Sequence, residues 1–317
     1  MSFRVRLKLF PIDPRTSEPT TWDQLVPLFP NVVFPNYADA DFSLSGQTLK
    51  VNWRTNIETF GSAEITRGRP NAPTEYEPLP DVTNWEQFKA YVGRLEYRRY
   101  IFRWQDKPLR LRTSFHRTGR SDLTRFLTED VKTLHRHLSL RTSHVFNLDI
   151  ADENGAFLNL VQHHGYPTPL LDWTFSPFVG AFFAYHRLIN SEASRANDTE
   201  KIRMFIFDQK EWRERYPPIP KLTPSRPHFS VLEFIAMDNE RMIPQQSIST
   251  VTNIDDIESY IRPTETEDNS FLKIADLPVN QRPLVMQELS VMGITAGSLF
   301  PGIDGACEEL RERFFHL

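Results

Sequence analysis

Gln162-His163-His164-Gly165-Tyr166-Pro167-Thr168-Pro169-Leu170-Leu171-Asp172-Trp173-Thr174-Phe175-Ser176-Pro177 runs directly into Phe178-Val179-Gly180-Ala181-Phe182-Phe183. Gly165 and Pro167 punctuate a turn. Ser176-Pro177 is a helix start, with a hydroxyl at the cap and a proline at the first helical position. Between them lie an acid, an indole and hydroxyls, and an imidazole pair, His163-His164, precedes the turn. A tight loop that carries such groups to the mouth of a helix is a common way to build a site. The helix from Pro177 to Arg187 is apolar on nearly all sides, so burial is expected.

Around this segment, helical and strand patterns alternate irregularly. Helices are expected at 85–92, 121–140, 155–163, 281–291 and 306–315, and strands at 100–104, 204–207 and 231–235. Residues 188–200 and 213–230 read as loops, the second marked by prolines at 217, 218, 220 and 224. Upstream, residues 3–10 alternate with period two, and 47–56 and 63–67 are further strand-like runs. Pro70, Pro73, Pro78 and Pro80 then mark a linker. The expected class is α+β: a central mixed sheet flanked by helices, with a small β-rich N-terminal extension. The expected division is 1–80 for the extension and linker, and 81–317 for the main domain.

The chain has 317 residues, 39% hydrophobic and 25% charged, as in an ordinary globular protein. A net charge of −4 argues against delocalised binding of a polyanion. Locally, Arg103, Lys107, Arg110, Arg112, Arg117, Arg120 and Arg125 make 103–125 the most basic stretch, either a solvated face or a contact for nucleic acid. The single cysteine, Cys307, rules out an intramolecular disulfide and a thiolate zinc cluster. No apolar run is long enough to span a membrane, and the start lacks a signal-peptide core, so a cytoplasmic location is expected. Glycine-rich phosphate loops and the Gly-x-Ser-x-Gly elbow are absent from the sequence. His163 and His164 are adjacent and point in different directions, so no metal site with Asp172 is expected.

The central segment resembles the signature of the FRG domain, a bacterial family that typically reads Gln-His-Tyr-Gly-x-Pro-Thr-Arg-Leu-Leu-Asp-Trp-Thr-x-Ser-Pro. The tripeptide that names the family is matched by Phe102-Arg103-Trp104, and a closing motif by Gly293-Ile294-Thr295 and Leu299-Phe300-Pro301 through Gly305. The three blocks cover roughly residues 85–317. Trp104 stands where the family has glycine, Pro169 where it usually has arginine, and His164 where it has tyrosine.

The same order is similar to the arginine-type ADP-ribosyltransferase fold. That resemblance implies NAD as the cofactor, with Phe102, Arg103 and Gln105 on the nicotinamide and pyrophosphate side. It implies that Trp173, Thr174 and Ser176 support the cofactor pocket, and that Gln245 or Gln246 stands where a late glutamate or glutamine acts. Arg103, His163, Asp172 and Gln246 are then the residues expected at the chemistry. Asp172 or Glu240 supplies the anion, and Trp173 or Trp104 the stacking surface. The implied role is an effector of bacterial conflict, a toxin or a phage-defence protein, with a protein or RNA acceptor and an antitoxin partner. The alternative is a non-enzymatic module that binds a nucleotide, nucleic acid or protein in the same pocket.

Each residue also has a structural use. Arg103 can pair with Asp172 to fix the fold. Trp173 can be core, His163 a hydrogen-bonded imidazole, and Thr174 and Ser176 caps. Gln245 and Gln246 can satisfy backbone groups beside a strand.

Overall fold

The computed structural model describes residues 1–15, 18–105, 109–223, 226–266 and 269–315. Lys107 of the basic stretch lies outside them. Two compact units emerge: Met1–Arg69 with Thr223–Pro227, and Pro70–Leu222 with His228–Leu317.

In the first unit, β1 (Ser2–Lys8), β4 (Tyr37–Ser45), β5 (Thr48–Thr55) and β6 (Phe60–Thr66) form an antiparallel sheet in that order. A two-stranded ribbon, β2 (Ile12–Asp13) with β3 (Glu18–Pro19), and the short α1 (Trp22–Leu25) complete it. Period-two alternation sorts the side chains. Phe3 stacks on Phe42 at 5.0 Å on one face, while Arg4 and Arg6 meet Asp41 and Asp39 on the other at 2.9 and 2.8 Å. Gly46, with φ 60°, opens the two-residue turn between β4 and β5, the position where a hairpin of this hand needs glycine.

The second unit is built on six strands: β7 (Tyr100–Gln105), β8 (Leu170–Thr174), β9 (Lys201–Asp208), β10 (Phe229–Leu232), β11 (Ser247–Thr252) and β12 (Leu272–Pro278). Their order is β10-β11-β8-β7-β9-β12. The class is α+β, but every ladder of this sheet is antiparallel, where a mixed sheet was expected. The proline-rich stretch hugs its edge: Leu79 N donates to Ile274 O at 2.9 Å.

The helices are α2 (Trp85–Val92), α3 (Ser114–Arg117), α4 (Leu123–Arg125), α5 (Val131–Leu138), α6 (Ala151–His163), α7 (Pro177–His186) and α8 (Asn190–Ala193). They continue with α9 (Gln209–Arg215), α10 (Ile257–Ile261), α11 (Arg282–Val291), α12 (Ala296–Leu299) and α13 (Ile303–Phe315). A π-turn at Phe126–Asp130 joins α4 to α5.

One sheet face carries Ile101, Leu171, Trp173, Phe205 and Phe207 against Trp212 of α9 and Ile257 and Ile261 of α10. The other carries Phe102, Met204 and Ile206 against α7, α2 and α11. Leu170 and Val251 join a third cluster with α6. Helix α7 lies close on this face because residue 180 is glycine. A Cβ there would sit 3.1 Å from Met204 Cε and 3.4 Å from Phe102 Cβ.

The central segment differs from the expected loop. Leu170–Thr174 is strand β8, in the middle of the sheet. Flanking prolines and turn residues hide it in the sequence, yet it is a short apolar run of the kind buried strands show.

Candidate functional site

Strand alternation divides the residues of β8. Leu171 and Trp173 enter one core, while Asp172 leaves on the opposite face, the side covered by α6. Strands β7 and β8 pair at Phe102↔Thr174. One residue further, the Arg103 side chain replaces the backbone ladder: Nη1 donates to the Asp172 carbonyl at 2.6 Å. The two residues meet through that carbonyl rather than through the carboxylate. Burial pulls the guanidinium down to about 10, with Asp172 opposing that shift and the charge of Arg117 adding to it.

Among the described residues, four buried polar atoms around the end of β7 have no hydrogen-bond partner: Arg103 Nε, Gln105 Oε1, Asp172 Oδ1 and Arg203 Nη1. Gln105 and Arg203 stand opposite each other in the β7–β9 ladder. Buried polar groups are usually satisfied, and exceptions gather where water or a ligand is bound.

On the α6 side, Asp172 stands in register with Ser249. Asn159 Nδ2 donates to Ser249 Oγ at 3.0 Å, and Asn239 Nδ2 donates to Asn159 Oδ1 at 2.9 Å. His163 Nδ1 lies 2.9 Å from Asn159 O, which can only accept. Asn239 Nδ2, which can only donate, lies 3.2 Å from the same Nδ1, so this nitrogen faces both an acceptor and a donor. A buried polar chain thus runs from the histidine to Ser249 on β11, the residue paired with Asp172 of β8. Sequence reading missed Asn159, Asn239 and Ser249. The available signal was Asn159 itself, an amide inside the apolar run Phe157-Leu158-Asn159-Leu160-Val161.

Other expected site residues are held by the protein. Trp173 is 3% exposed, and its Nε1 donates to Thr250 Oγ1 at 3.0 Å. Thr174 Oγ1 donates to Gln245 O at 2.7 Å and accepts from Ser176 N at 3.0 Å. Ser176 Oγ caps α7, accepting from Val179 N at 3.2 Å. Gln245 Nε2 donates to Leu299 O at 3.1 Å, tying in the closing motif. Gln246 is exposed with φ 48°, and its carbonyl accepts from Phe175 N.

Phe102 is core, and Trp104, two residues on, shares its face. Trp104 is half-buried and lies on the same side as Asp172, so the indole facing the site is Trp104 rather than Trp173. The basic stretch is largely neutralised: Arg110, Arg112, Arg120 and Arg125 sit on Asp256, Asp255, Asp122 and Glu129.

Residues 98–193, from the start of β7 through α8, match the family model described as FRG domain. No curated protein and no solved structure matches the chain.

Proposed function

The chain carries an FRG domain at residues 98–193, and from that premise we propose that it binds an NAD-like nucleotide over Asp172 and cleaves the nicotinamide–ribose bond. The observation that carries this reading is Asp172 Oδ1, a buried carboxylate oxygen without a partner on a sheet face it shares with Trp104. As the C1′–N1 bond breaks, its electron pair leaves with nicotinamide and positive charge develops on the ribose. A fixed anion facing that charge lowers the barrier. A water or acceptor hydroxyl attaches to C1′, and its proton passes to the imidazole of His163. Trp104 offers an aromatic surface on that face, and Arg103, from the alternate face of β7, braces the Asp172 carbonyl. The reaction suits an effector of bacterial conflict, a toxin or phage-defence protein, that modifies a protein or RNA acceptor and is held by an antitoxin.

A second reading, a nucleotide-binding module without turnover, is favoured by a specific observation. Trp173, Thr174, Ser176 and Gln245 are all engaged within the protein. A thermal-shift screen against NAD, other nucleotides and short RNA tests the shared premise. A nucleotide at about a hundred times its Kd adds about 2.7 kcal/mol of stability. Stabilisation by RNA alone would exclude both readings.

A further inference from the structure

A cavity of about 500 Å³ opens at the C-terminal end of α7, bounded by Arg241, Phe300 and α13. Two guanidinium groups line it with no carboxylate partner among the described residues. Arg187 lies over Trp104, 5.8 Å from the ring centre, and Arg241 lies over Phe300 at 5.4 Å. An aromatic face orients a planar guanidinium and leaves its N–H edge free for an anion.

Two of the three carboxylates on the same wall, Glu308 and Glu312, have cations of their own. Glu308 is held by His186 Nε2 at 2.8 Å and by Arg311 at 3.6 Å, and Glu312 by Arg282 at 2.9 Å. Asp304 sits in the first turn of α13, where an acid complements the helix dipole. The His186 side chain is 8% exposed; its Nδ1 lies 3.5 Å from Glu312 Oε2 and makes no hydrogen bond among the described residues.

We propose that this cavity is the phosphate subsite of the nucleotide, with Arg187 and Arg241 clasping a diphosphate. Trp104 links the two regions, since Arg187 stacks on it and it shares a sheet face with Asp172. The nature of the ligand rests on the preceding reading; the anion site itself rests on the two unpaired arginines.

Titration calorimetry of the whole chain with pyrophosphate, ADP and adenosine tests it. Pyrophosphate and ADP should bind, with adenosine about tenfold weaker or worse. Arg187→Gln and Arg241→Gln should each weaken ADP by about tenfold at an unchanged melting temperature, and rising salt should weaken it in the wild type. Equal ADP affinity in both variants, or no binding of pyrophosphate and ADP by the wild type, would overturn the proposal. Loss of ADP binding in the variants without nicotinamide release from NAD by the wild type keeps the subsite and removes the turnover reading. NAD turnover with unchanged KM in both variants does the reverse.

Discussion

Arg103 places its guanidinium on a backbone carbonyl and leaves Nε bare inside the protein. A cation held this way is a poor stabiliser, because desolvation works against it and its nearest carboxylate is not bonded to it. Arg103→Met is therefore expected to change unfolding free energy by no more than about 1 kcal/mol, the scale of the one hydrogen bond lost. It should nonetheless abolish nucleotide-induced stabilisation. Denaturant melts with and without NAD check both parts; a loss of several kcal/mol in the absence of ligand would make the residue structural. His116 gives a separate test of burial. It is 1% exposed, with Nδ1 2.7 Å from Thr113 Oγ1. Burial lowers its pKa from 6.5, with Asp255 opposing and Arg112 adding. The unfolded chain then binds the proton more tightly, so this contribution is present above pH 6.5 and is lost as pH falls through the folded value. The melting temperature of His116→Gln should fall less steeply with acid than that of the wild type. Parallel curves would contradict the assignment.

Helix α7 and strand β8 form the element pair that sets the site. Ser176 caps the helix and Gly180 lets it lie against β7 and β8. Ser176→Ala should cost about 0.5–2 kcal/mol. Gly180→Val should cost about 1–3 kcal/mol by pushing on Phe102 and Met204. Chemical denaturation measures both, and a neutral Gly180→Val would mean that α7 is free to lift. Helices α2 and α7 were legible because their caps, Asn84 and Ser176, are local signals, and α11 because of its apolar spacing. Strand β8 was not, since its partners β7 and β11 are distant in sequence and its prolines mimic a loop. Strand β4 was hidden for another reason: Tyr37-Ala38-Asp39-Ala40-Asp41 is made of poor strand formers. It is held by its neighbours, with Arg4 and Arg6 pairing with its two aspartates. Arg103 and Asp172 were legible as site residues by type, but their meeting through a carbonyl depends on β7 and β8 parting after Phe102↔Thr174. No spacing along the chain encodes that.

At the scale of the whole molecule, the six-stranded sheet joins blocks that lie far apart in the chain. Strand β7, the β8–α7 segment and the closing motif converge through Thr174, Gln245 and Leu299. That convergence fixes the frame of the site and leaves Asp172 and Arg103 with unfilled polar atoms. The central claim is that Asp172 acts on a bound nucleotide, and one assay addresses it most directly: nicotinamide release from labelled NAD by wild-type protein and by Asp172→Asn, with melting temperatures recorded on the same samples. The account predicts release by the wild type and a fall of about a hundredfold or more in the variant, the scale for removing one oriented electrostatic group. It also predicts that the variant melts within about 1 kcal/mol of the wild type, because that carboxylate oxygen has no partner to lose. Release that persists undiminished in Asp172→Asn, or no release and no stabilisation by NAD in the wild type, would contradict it.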